Sequence, residues 1–148
     1  MKLYVNLKKI FLLLLIIIST ILICNTNINE ENFGDDIKIV SYNIHSGVDK
    51  DMFPTLFDII EFLKNCDADI ICLQEVNESS KVGFQVSSLK EELGMNSHFW
   101  ANVVNLNSNY GLVTYSKDKI IRQNHVYLSS SKDQRGLLHT VIEVREKK

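Results

Sequence analysis

Hydrophobic and polar positions divide the chain into three stretches. Ile10–Ile23 is an uncharged run in which only Ser19 and Thr20 are polar. Asn25–Asp36 (NTNINEENFGDD) is polar and acidic and reads as a linker. From Ile37 onward, short apolar stretches alternate with polar ones, as in a folded domain.

Within the third stretch, Ile37–Tyr42 is rich in β-branched residues and predicts a strand, with Asn43, Gly47 and Asp49 as loop signals behind it. Met52–Asn65 carries Leu56, Ile59, Ile60 and Leu63 at helical spacing, and Pro54 fits a first helical turn. Ile70–Leu73 is a continuous apolar run, the pattern of a strand covered on both faces. Strand, helix and strand in this order predict a right-handed crossover between parallel strands. That topology brings the ends of both strands, marked by Asn43 and Glu75, to one rim of the sheet, where open sheets bind ligands. A second helix is expected over Phe84–Leu93, closed by Gly94. Four strands then follow: His98–Val104, Tyr110–Tyr115, Ile120–Leu128 and Gly136–Val144. They are joined by turn sequences at Asn107–Asn109 and Lys117–Lys119, so neighbours should pair antiparallel.

The N-terminal run changes the picture of location. Lys2, Lys8 and Lys9 precede it, giving the form of a signal-peptide core, shorter than the roughly 20 apolar residues of a spanning helix. Residues 1–24 are therefore expected to be a hydrophobic helix acting as signal peptide or membrane anchor, 25–36 a linker and 37–148 the domain. Ile21–Cys24 resembles a lipoprotein box with Ile23 in place of a small residue. Cleavage, lipidation and retention all remain open. Either way the domain is expected to be membrane-anchored or secreted, on the extracytoplasmic side of a bacterial cell.

Charge narrows the partners. Three of the 16 basic residues and none of the 18 acidic ones precede Cys24, so the remainder carries a net charge of −5. An acidic surface excludes nonspecific duplex binding through a basic face and suits a site that recruits a divalent cation. Cys66 and Cys72 read as buried thiols, with pairing outside the cytoplasm as the alternative, and no metal-type cysteine spacing occurs.

Four segments carry candidate chemistry: Ser41-Tyr42-Asn43-Ile44-His45, Leu73-Gln74-Glu75-Val76, Tyr110-Gly111 with the strand behind it, and Gln134-Arg135-Gly136. In order and spacing they resemble the endonuclease/exonuclease/phosphatase superfamily, which includes apurinic-site endonucleases, DNase I-like nucleases, sphingomyelinases and inositol-phosphate phosphatases. The resemblance covers Ile37 to about Val144. It implies an α+β fold, a partial four-layer α/β-sandwich of the DNase I-like kind holding the N-terminal part of the domain. It implies Glu75 as the principal Mg²⁺ ligand, with Mn²⁺ as a substitute, and Asn43 as the amide that helps hold the metal site or the catalytic aspartate. Tyr110 matches a phenol that hydrogen-bonds the scissile phosphate. His45 stands where nuclease members often have Asp. It is a candidate phosphate contact with a structural histidine as the alternative, and Arg135 is a weaker match.

The implied activity is Mg²⁺-dependent phosphoester hydrolysis on nucleic acid, sphingolipid or inositol phosphate. The family's Asp-x-Asn and Asp-His motifs, which orient and activate the water, do not occur in these 148 residues. The chain is therefore expected to be inactive alone. The alternatives are a non-catalytic membrane-tethered binding module, or a half-domain completed by a C-terminal half on a neighbouring chain.

Overall fold

The computed structural model describes residues 36–81 and 83–144. The expected N-terminal helix, anchor and nearly all of the linker lie outside the described residues. Among the described residues, no helix is long and apolar enough to cross a membrane.

The predicted crossover is present. Strand β1 (Ile39–Asn43) leads through a short turn (His45–Gly47) to helix α1 (Leu56–Cys66), and strand β2 (Ile70–Ser79) returns parallel to β1. Pro54 precedes α1 and bridges to Val48, so the helix starts at Leu56, with the apolar stripe, and not at Met52 with Pro54 in its first turn. The short strand β3 (Gly83–Phe84) pairs with β2, and helix α2 (Gln85–Leu93) ends on left-handed Gly94 as expected. Strands β4 (Asn96–Asn105) and β5 (Ser108–Ser116) complete a mixed sheet in the order β1-β2-β5-β4, with β5 antiparallel to both neighbours. Strands β6 (Lys119–Leu128) and β7 (Arg135–Glu143) form a separate antiparallel ribbon.

The core lies between the main sheet and the helices. Ile59 and Leu63 of α1 and Val86 and Leu89 of α2 pack with Ile71, Leu73, Val76, Val113 and Tyr115 of the sheet. Fully burying one such aliphatic side chain contributes roughly 1.5–3 kcal/mol. The Tyr115 hydroxyl, buried in this layer, donates to Val86 O at 3.0 Å, and burial pushes its pKa up.

Residues alternating with Val113 and Tyr115 face the opposite way, and the β6–β7 ribbon meets that face through polar groups. His98, the partner of Thr114 across β4–β5, places Nδ1 2.8 Å from Thr140 Oγ1. His125 stacks on Trp100 with ring centroids 5.0 Å apart and reaches Asn102 Oδ1 at 3.1 Å. Helices, sheet and ribbon thus give three of the four layers expected. The ribbon does not cover the β1–β2 side: Ile39 is 61 % exposed, and Ile70 and Cys72 are only half-buried. The apolar run Ile70–Leu73 is therefore fully buried on its helix-facing side alone. Cys66 and Cys72 are half-buried free thiols.

Candidate active site

Parallel pairing of β1 and β2 runs from Ile39↔Ile70 to Asn43↔Gln74 and is extended by Ile44 N–H donating to Gln74 O at 3.1 Å. Asn43 therefore sits beside the residue preceding Glu75, where β1 ends; β2 does not end at Glu75 as expected but runs on to Ser79, held by β5 and β3.

At Glu75 the regular ladder breaks. Gln74 pairs with Leu112 and Val76 with Gly111, so Glu75 is the extra residue of a bulge, and its φ is +58°. A left-handed backbone costs an ordinary residue about 1–2 kcal/mol. Bulges beside functional sites commonly re-aim a side chain. Here the carboxylate reaches Tyr110, whose register partner on β2 is Asn77. Partial burial, then the Glu75 charge and a hydrogen bond to Glu75, push the Tyr110 phenol up to about 12. Arg135, the first residue of the ribbon strand β7, and Asp133 in the loop before it also act on this phenol, Arg135 lowering its pKa and Asp133 raising it. Glu75 and Arg135, from two other segments, thus both act electrostatically on the Tyr110 phenol.

Asn43 and His45 are joined locally. Asn43 Oδ1 accepts from the His45 N–H at 2.9 Å, an Asx-type turn. His45, Ser46 and Gly47 are all left-handed, with φ of 48°, 57° and 68°. The exposed His45 ring lies with Nδ1 3.3 Å from Val48 O, inside its own loop. Asn43 and His45 also line an open cleft of about 590 Å³ between β1 and α1, with Tyr42, Asp58 and Phe62 on its walls. Glu75 and Tyr110 do not line that cleft. The structure thus brings Asn43 to the rim beside Glu75, whereas His45 is held on the α1 side.

Among the described residues, no three His, Cys, Asp or Glu side chains cluster as a complete metal cage. One carboxylate and one amide oxygen nevertheless suit a hard cation that keeps several waters and takes its other ligands from a substrate phosphate. Asn43 Oδ1 keeps a second lone pair beyond its bond to the His45 N–H. The donor chemistry of Glu75 and Asn43 fits such an ion.

Sequence reasoning passed over Asn77, Ser108 and Asp133. Asn77 is buried and its Oδ1 accepts from the Ser108 hydroxyl at 2.9 Å, tying β2 to β5 beside Tyr110. The only sequence signal for Asn77 was a polar residue two positions after Glu75, on the same strand. Gly111 has a steric role: a Cβ there would run into the backbone of Trp100 and Ala101 on β4.

The sequence profile of the Endonuclease/Exonuclease/phosphatase family matches residues 40–146. The chain belongs to this family. Its structure is similar to that of a family protein from Leptotrichia buccalis, with a TM-score of 0.61 and 17% identity over 75% of this chain and 50% of that one. A family protein from Beutenbergia cavernae gives a TM-score of 0.60 at 19% identity, over 73% of this chain and 34% of that one. ANGEL2, a 2′,3′-cyclic phosphatase solved with adenosine-2′,3′-vanadate, gives 0.50 at 20% identity, over 72% and 38%. The chain spans half or less of the length of each of these family structures. A search of curated proteins finds no significant match.

Proposed function

We propose that these residues form the metal- and phosphate-binding part of a Mg²⁺-dependent phosphoester hydrolase, with Glu75 and Asn43 as the protein ligands of the ion. The observation that carries this reading is the left-handed bulge at Glu75, which turns a carboxylate toward Tyr110 at the rim that Asn43 shares. A strained residue that re-aims an acid out of a strand is an expected mark of a functional site. When bound, the ion would offset charge on the phosphate and on the leaving oxygen.

The remaining roles follow from the chemistry of the side chains. With its pKa near 12, the Tyr110 phenol stays protonated at neutral pH and donates a hydrogen bond to a phosphate oxygen; it is not a base. Arg135 adds a positive charge beside it for an anionic ester. His45 is a phosphate contact and not the base, because its ring is engaged with Val48 O and, among the described residues, no carboxylate is hydrogen-bonded to it. No Asp-x-Asn or Asp-His motif that would orient and activate the water occurs in these 148 residues. The substrate is a phosphoester of the nucleic acid, sphingolipid or inositol phosphate classes, and the N-terminal apolar segment holds the domain at a membrane or directs its export.

The second reading is a half-domain completed by a partner chain, or a tethered binding module. The exposed β1–β2 face around Ile39 favours it. One experiment separates the parts of the proposal. The purified chain should bind Mn²⁺, lose that binding in Glu75→Gln, and hydrolyse no bis(p-nitrophenyl) phosphate above background with Mg²⁺. Turnover by the chain alone would refute the division of the site, and unchanged Mn²⁺ binding in Glu75→Gln would refute the metal assignment.

A further inference from the structure

We propose that Gln85 is a positioning residue whose buried amide clamps the loop after Asn43 to the strand after Glu75, and so sets the metal-binding rim. The inference rests on the hydrolase reading above and extends it to a residue that touches neither metal nor substrate.

Gln85 is the first residue of α2 and is 2 % exposed. Its Oε1 accepts from the Asn77 N–H at 2.9 Å, and its Nε2 donates to Ser46 O at 2.5 Å. A side-chain amide carries the one acceptor and the donor that these two backbone groups need. Gly47 leaves the room: a Cβ there would lie 2.8 Å from Gln85 Nε2.

The two clamped segments are the ones that carry the candidate ligands. On one side, Ser46 O is held while His45 and Ser46 are both left-handed, a conformation ordinary residues leave unless the surroundings enforce it. That conformation presents the His45 N–H to Asn43 Oδ1 and orients the Asn43 amide. On the other side, Asn77 follows Glu75 by two residues, pairs with Tyr110, and is tied to Ser108. Gln85 thus links the Asn43 turn to the Glu75 bulge through one side chain. Partners of this kind, which orient metal ligands without touching the ion, typically change metal affinity or activity about 10–100-fold when removed.

The test uses the full chain in detergent, with Mn²⁺ binding read by paramagnetic broadening of amide resonances and folding read separately by thermal denaturation. Gln85→Met should weaken Mn²⁺ binding about tenfold in the folded protein. Leu89→Ala, on the same helix and fully buried, should lower stability and leave Mn²⁺ affinity unchanged. A folded Gln85→Met variant that binds Mn²⁺ as the wild type does would reduce Gln85 to a packing role and overturn the proposal. Should Gln85→Met not fold, Gln85→Asn keeps both polar groups but is one methylene too short to span them. Weaker binding in that variant supports the clamp, and unchanged binding overturns it. Glu75→Gln is run beside them. If it too binds Mn²⁺ normally, the hydrolase reading has failed rather than the clamp.

Discussion

The Glu75 carboxylate interacts with the Tyr110 hydroxyl although the ladder pairs Tyr110 with Asn77, two residues further along β2. The extra residue at the bulge makes this possible, and it does so by holding Glu75 at φ +58°. Local backbone strain and the placement of the acid are therefore one feature.

That coupling predicts a trade-off between stability and binding. Glycine adopts left-handed backbone at little cost, so Glu75→Gly should be more stable than Glu75→Ala by about 1 kcal/mol. Neither variant should bind Mn²⁺. Urea denaturation checks the first part and a Mn²⁺ titration the second. Equal stabilities of the two variants would show that the bulge is not strained.

The Tyr110 phenol should titrate near 12, read as the difference in tyrosinate absorbance between wild type and Tyr110→Phe. Glu75→Gln should bring that midpoint down, because it removes the negative charge that raises it, while the effect of burial stays. A midpoint unchanged by Glu75→Gln would mean the two side chains do not meet in solution.

Gly111→Ala should be destabilising by about 3 kcal/mol, the upper end for overpacking, because the clash is with backbone that cannot swing aside. The midpoint of chemical denaturation measures it. A loss below about 1 kcal/mol would mean that β4 and β5 are further apart than described.

Stability should also fall on mild acidification. Burial, and secondarily the neighbouring His125, hold the pKa of His98 below its ordinary 6.5. The unfolded chain then binds the proton more readily than the folded one. The stability that neutral His98 provides is complete above about pH 6.5 and is lost as pH falls through the depressed value. His125 is shifted the same way by burial. Thermal midpoints measured from neutral to mildly acidic pH should fall, and His98→Gln should make the profile flatter. A flat wild-type profile would remove the histidines from the interface with the ribbon.

Much of this architecture was legible from the chain. Helical spacing at Leu56, Ile59, Ile60 and Leu63 and the apolar run at Ile70–Leu73 are local patterns. With the handedness of crossovers, they suffice to bring Asn43 and Glu75 to one rim. The alternating strands and Gly94 were readable for the same reason. The placement of Glu75 was not. Whether β2 runs straight or bulges depends on its register against β5, some 35 residues away, and on Gly111 fitting against β4. Gln85 carries no local signal beyond a polar residue at a helix start, and only the approach of the Ser46 loop and Asn77 gives it two partners. His98 and His125 carry no local pattern, and only the ribbon folded over β4 and β5 gives them partners. Periodicity determined the elements, their order and the shared rim, because those follow from short-range geometry. The tertiary structure decided which way each rim side chain is aimed, because that depends on contacts between segments far apart in the chain.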